Sequence, residues 1–149
     1  MVTYGAKSDL NLKLWVKLSR LNMEISRELL KVFKSHGLST AQFAVLEVLY
    51  HKGELSIGEI IEKILISGGN ITVVVTNLEK KGLLEQRPDE LDARRKRVKI
   101  TKAGAELLEI VFQDHLDTLN QLLDYYEDIE KEELIYLLGQ IKERREKTQ

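Results

Sequence analysis

The chain has 149 residues, 43% hydrophobic and 32% charged, with one proline, no cysteine and a formal net charge of −1. That is the composition of a globular, helix-rich domain, neither disordered nor collagen-like. The lack of cysteine excludes disulfides, thiolate metal sites and thiol-based redox sensing, and it fits a cytoplasmic setting.

No apolar run approaches the roughly 20 residues that cross a bilayer, so no membrane partner is expected. The opening "MVTYGAKSDLNLKLW" lacks a basic segment followed by an apolar one, which argues against a signal peptide.

In chain order, Leu14, Leu18, Leu21, Ile25, Leu29 and Val32 recur at spacings of three and four, which predicts a long helix over 9–35. Leu10, Leu12, Trp15, Leu30 and Phe33 widen its apolar stripe beyond what one small core needs. Gly37 in "SHG" marks its end. "LSTAQFAVLEVLYHKG" (38–53) reads as a second helix, capped by Ser39 or Thr40, with Phe43, Leu46, Val48 and Leu49 inward. "LSIGEIIEKIL" (55–65) reads as a short third helix, with Ser56 and Glu59 at capping-box spacing.

"SGGNITVVVTNLEKKG" (67–82) is a fourth helix starting near Gly69 and ending at Gly82. Its β-branched run favours a strand on propensity. Ile71, Val74, Val75 and Leu78 nevertheless fall on one helical face, and "NLEKKG" is a helix ending. "LLEQR" (83–87) and "KRVKI" (96–100) read as two strands of a hairpin around the polar turn "PDELDARR". Thr101 then caps a helix to about 123, carrying Leu107, Leu108, Val111, Phe112, Leu116, Leu119 and Leu122. Asp128 caps a last helix to about 146, with Leu134, Leu137, Leu138 and Ile141.

The net charge hides an asymmetry. Residues 1–86 carry 11 Lys and Arg against 9 Asp and Glu, residues 87–102 seven against three, and residues 103–149 five against twelve. A polyanion is attracted to the middle of the chain and repelled by its tail.

Three short helices and a basic hairpin make a winged helix. At the hairpin, Asp92, Arg94, Val98, Ile100, Thr101 and Gly104 follow an Asp-x-Arg, hydrophobic strand, Thr, Gly pattern. Together with "LEKKGLLEQR", this resembles the MarR family of bacterial transcriptional regulators over nearly the whole chain. The expected fold class is mainly α with a small β-hairpin wing. Residues 38–100 would form the DNA-binding lobe, with 9–35 and 101–146 as dimerisation helices.

The resemblance implies a cytoplasmic homodimer on double-stranded DNA, probing a near-palindromic operator and acting as a repressor. Physical chemistry assigns roles to match. Arg94 at the hairpin tip suits the narrow, electronegative minor groove, and Asp92 can hold its guanidinium. Arg95, Lys96 and Arg97 are expected at phosphates. The fourth helix is expected in the major groove, presenting Asn70, Val73, Thr76, Asn77 and Lys80. Gly69 would let its N-terminus approach the backbone, and Ser56 would donate to a phosphate. A purely structural reading has Ser56, Asn70 and Thr72 as caps and Val73 in the core. Without an arginine, this helix leans towards an A·T-rich operator.

Catalytic signatures are absent: there is no Gly-x-Ser-x-Gly and no phosphate loop. His36, His51 and His115 lie far apart and read as helix-end or surface residues, so neither metal nor cofactor is expected. Members of the resembled family release DNA when a small aromatic compound binds between the dimer helices and the DNA-binding lobe. Trp15, Phe43, Tyr50 and Phe112 are the candidates for lining such a cleft, with core packing as the competing explanation. The alternative to a DNA-binding regulator is a winged helix that serves as a protein-interaction module, docking a basic partner on its acidic C-terminal half.

Overall fold

The computed structural model describes residues 2–64, 70–89 and 96–146, of which 142–146 are described as backbone only. The elements are α1 (Ala6–Ser35), α2 (Thr40–Lys52), β1 (Leu55–Ser56), α3 (Ile57–Lys63), α4 (Ile71–Lys80), β2 (Leu84–Pro88), β3 (Lys96–Ile100), α5 (Lys102–Leu123) and α6 (Asp128–Glu146). The architecture is the expected one: mainly helical, with a small antiparallel sheet.

The caps lie where side-chain chemistry put them. Ser39 with Gln42 opens α2 and Ser56 with Glu59 opens α3, both as reciprocal capping boxes. Asn70 accepts from the Val73 amide to open α4, and Thr101 accepts from the Gly104 amide to open α5. At α6 the cap falls one residue earlier than expected. Asp128 is already helical, and the Glu127 amide donates to Glu130 Oε2 at 2.9 Å.

The β-branched run 71–76 is helical because only a helix buries it. Ile71, Val75 and Leu78 are buried while Val73 is 51% exposed. A strand would have put Val73 on the same face as Ile71 and Val75.

The hairpin is part of a larger sheet than the sequence suggested. Strand order is β1-β3-β2, with Leu55 opposite Val98 and Ser56 opposite Arg97. On the other side of β3, Leu84 pairs with Ile100, Gln86 with Val98 and Arg87 with Arg97. A two-residue strand has no periodicity to read, so β1 was invisible in the sequence.

The core lies between α2, α3, α4, the sheet and the first half of α5. Leu46, Leu49, Ile60, Val75, Leu78, Val98, Leu108 and Val111 are almost fully enclosed. Phe33 is the buried residue of α1, and Leu29 and Val32 pack beside it. Leu116, one turn beyond the buried stretch of α5, is exposed.

One junction fixes how the wing leaves and rejoins the helices. Gly82, at φ +72°, turns the chain out of α4. The Thr101 hydroxyl donates to the Gly82 carbonyl at 2.8 Å, and the Thr101 amide donates to the Leu83 carbonyl at 3.1 Å. Gly104 sits against the same strand start: a β-carbon there would lie 2.2 Å from the Leu83 carbonyl oxygen. The Thr-x-x-Gly spacing thus has a local cause. The threonine caps α5 and ties it to the end of α4, and the glycine lets the first turn of α5 press on the chain entering β2.

Candidate nucleic-acid interface

The outward face of α4 is the first half of the site. Asn70, Thr72, Val73, Asn77 and Lys80 are exposed and Thr76 is half-buried. Two polar side chains there are already engaged. Asn70 Oδ1 accepts from the Val73 amide at 3.3 Å, and the Thr76 hydroxyl donates to the Thr72 carbonyl at 2.9 Å. The capping reading therefore holds for Asn70, while Val73 does not fill the core. An exposed valine amid polar neighbours suits contact with a thymine methyl, and Asn77 suits an adenine edge. Ser56 acts as a cap: its Oγ accepts from the Glu59 amide at 3.3 Å.

The wing is the second half. Gly69, Asp92, Arg94 and Arg95 lie outside the described residues. Lys96 is exposed at the start of β3. Arg97, expected beside it at phosphates, is instead engaged by protein. Its Nη1 donates to Glu59 Oε2 at 2.9 Å and its Nη2 to the Glu54 carbonyl at 2.8 Å. The neighbouring Arg87 grips the Glu54 carboxylate with Nε at 3.0 Å and Nη2 at 3.1 Å. The alternation of β3 is the cause. Val98 points into the core, so Arg97 projects from the opposite face of the sheet, within reach of Glu54 just before β1 and Glu59 in the first turn of α3.

These contacts shift the acids. Hydrogen bonding from Arg87 leads the effects that hold the Glu54 carboxyl below its ordinary value. Hydrogen bonding to Ser56, ahead of the charges of Arg97 and Lys63, does the same for Glu59. Gln86 of β2 is tied in turn to α4, with its amide at 3.2 Å and its Nε2 at 2.6 Å from the two Glu79 carboxylate oxygens.

The residues proposed to line a ligand cleft do not come together within the chain. Phe43 is 4% exposed and stacks on Phe33 with centroids 4.2 Å apart, which makes it core. Trp15 is 68% exposed on the first half of α1, in a shallow groove with Tyr4, Ser8, Asn11 and Leu12. It lies about 27 Å along α1 from Phe33, at a rise of roughly 1.5 Å per residue. Tyr50 and Phe112 are closer to each other in the fold. The Tyr50 hydroxyl donates to Glu109 Oε1 at 2.8 Å, and this acceptor pushes its pKa up. His51 bridges the two rings, with centroids 5.3 Å from Tyr50 and 5.6 Å from Phe112.

His115 corrects the expectation of a surface histidine. It lies three residues beyond Phe112 on the packed stripe of α5, stacked near Phe33, Phe43 and Phe112. Among the described residues its buried Nδ1 has no hydrogen-bond partner. Burial lowers its pKa, opposed by the charge of Glu47. The other two behave as expected: His36 closes α1 with Nε2 2.7 Å from Asp114 Oδ2, and His51 is exposed near the end of α2. No cluster of metal-ligating side chains forms among the described residues.

Comparison with known proteins matches this geometry. A family model described as MarR family covers residues 36–95, from the end of α1 into the wing. The HTH-type transcriptional regulator MhqR of Bacillus subtilis is 36% identical over 134 residues, which span 90% of this chain and 92% of that protein. A mutant MarR from E. coli complexed with operator DNA has the same fold, with a TM-score of 0.79 at 24% identity over 92% of this chain and 99% of that one. The organohalide sensing RdhR transcriptional regulator in its 2,4-dichlorophenol bound form also shares it, with a TM-score of 0.79 at 22% identity over 97% and 89% of the two chains.

Proposed function

The chain belongs to the MarR family of DNA-binding transcriptional regulators and is not an enzyme, and from that premise we propose that it is a cytoplasmic homodimeric repressor of a near-palindromic operator. Each protomer places α4 in a major groove and its wing in the flanking minor groove, with half-sites about one helical turn apart. The observation that carries this reading is the face of α4. Val73, Asn77 and Lys80 stand exposed on it, and the sequence that follows concentrates five cations in residues 92–99. Val73 and Asn77 discriminate bases, Lys80 and Lys96 hold phosphates, and Arg94, steadied by Asp92, enters the minor groove. Arg95 adds to the backbone contacts.

Dimerisation is supported by apolar surface that the chain leaves uncovered. Leu10, Leu14 and Trp15 of α1, and Ile135, Leu137 and Ile141 of α6, are all exposed. Such an area on helices at both chain ends is what a second copy covers. An effector is a further part of the reading: a small aromatic compound shifts the dimer to a geometry whose recognition helices no longer match the operator. The phenol-bound neighbour supports that class of ligand. Of the four candidate lining residues, Tyr50 and Phe112 lie near each other within one chain, while Phe43 is enclosed.

Selection of bound duplexes from a random DNA pool at near-physiological salt tests the proposal. An inverted repeat with half-sites about one turn apart is expected. Recovery of no motif, with binding lost as salt rises, would instead favour a protein-interaction module.

A further inference from the structure

We propose that Arg97 is a positioning residue that, with Glu54 and Glu59, fastens the wing to the helix-turn-helix at a fixed angle and does not itself bind phosphate. The inference rests on the DNA-binding reading above and assigns a task to acids that this reading leaves without one.

Three observations lead to it. First, Arg87 and Arg97 stand directly opposite each other on paired strands. Like charges in that position repel. Glu54, just before β1, relieves the repulsion by holding Arg87 in a two-pronged contact while its Oε1 lies 3.5 Å from Arg97 Nε. Second, a single oxygen joins two elements. Glu59 Oε2 accepts from the Ser56 amide at 2.7 Å and from Arg97 Nη1 at 2.9 Å, so the group that caps α3 also holds the central strand of the wing. Third, all three guanidinium nitrogens of Arg97 have protein partners, and its side chain is 28% exposed against 59% for Lys99 on the same face.

The consequence is mechanical. Glu59–Arg97 ties β3 to α3, and Glu79–Gln86 ties β2 to α4. Both strands of the wing are thereby fixed to the two helices of the helix-turn-helix, of which α4 is the one that enters the major groove in the reading above. A tilt at the base of a hairpin grows towards its tip, so these ties set where the tip meets the minor groove relative to α4. Charge alone makes the opposite prediction for the acids. Two carboxylates near a polyanion weaken binding, and removing one should tighten it.

That opposition of sign is the test. Glu59→Gln removes the charge but keeps an oxygen that can cap the Ser56 amide, so α3 stays formed. The selected operator duplex is titrated across a salt series with wild type, Glu59→Gln, Arg97→Lys, Arg97→Met and the Glu59→Gln/Arg97→Met pair. Positioning predicts that Glu59→Gln weakens binding roughly tenfold, as does loss of a charge-assisted hydrogen bond. Arg97→Lys, which keeps the charge and loses the planar fork, fails to restore affinity. The slope of log K against log salt is unchanged, the flanking minor-groove footprint fades, and the double variant is no worse than Arg97→Met alone.

The proposal is overturned if Glu59→Gln binds as tightly as wild type or tighter, or if Arg97→Lys binds like wild type while Arg97→Met lowers the salt slope by about one ion. Hydrogen exchange on the free protein supplies a second readout. Glu59→Gln should raise exchange in β2 and β3 and leave α2 and α5 protected, and an unchanged wing would equally overturn the tether. If wild type itself selects no operator while exchange behaves as expected, it is the repressor reading that fails and the tether that survives.

Discussion

The two ends of this molecule use apolar residues in opposite ways. In the winged-helix lobe, Leu46, Leu49, Val75, Leu78 and Val98 are enclosed by elements of the same chain. At the far end, the first half of α1 and the described side chains of α6 bury nothing fully, although Leu14, Trp15, Ile135, Leu137 and Ile141 are just as apolar. Composition does not separate the two regions; contact does. The apolar side chains of the lobe are covered by its own chain, whereas those of the first half of α1 and of α6 are left largely exposed.

The comparison breaks most visibly at the base. Leu137→Asp would place a carboxylate in each half of the proposed interface and should cost about 4 kcal/mol of association. Sedimentation equilibrium would show monomers at concentrations where wild type is dimeric, and an unaltered assembly state would remove α6 from the interface. Next comes the lobe. Leu46→Ala should lose about 3 kcal/mol of unfolding free energy, measured by urea denaturation. A loss no greater than that of an Ala substitution at Ile135 would mean that the lobe is not where the fold is held.

Smaller changes sharpen the boundary between lobe and base. Gly104→Ala forces the first turn of α5 off the Leu83 carbonyl and should cost about 2 kcal/mol, read in the same urea titration. Thr101→Ala removes the α5 cap and should cost about 1 kcal/mol.

The smallest effect concerns pH. In the fold, burial among Phe33, Phe43 and Phe112 lowers the His115 pKa, against the opposing charge of Glu47 on α2, with the His36–Asp114 pair alongside. The unfolded chain then binds this proton more readily than the folded one. The contribution of neutral His115 is complete above its unfolded pKa of about 6.5 and declines as pH falls through that value towards the folded one. Thermal melts between pH 7.5 and 5.5 should show a decline that is shallower in His115→Phe, and an identical decline in both would assign it to other groups.

Much of this was determined by the sequence alone. The starts of α2, α3 and α5 and the end of α4 followed from Ser39, Ser56, Thr101 and Gly82, because capping is chemistry between residues a few positions apart, while the Asn70 cap of α4 was only the competing explanation for a residue read as facing DNA. The wing strands followed from alternation, and the helical state of 71–80 from the spacing of Ile71, Val75 and Leu78. Only tertiary structure decided the rest, since it depends on residues far apart in the chain. Leu55 becomes a strand because Val98 lies beside it. Arg97 turns from phosphate towards Glu54 and Glu59 because Val98 takes the core side of β3. His115 is drawn into an aromatic stack by rings from α1 and α2, and Trp15 is held away from Phe43 by the length of α1. A local pattern states what a side chain can do, and its partners across the fold decide which of those options it takes.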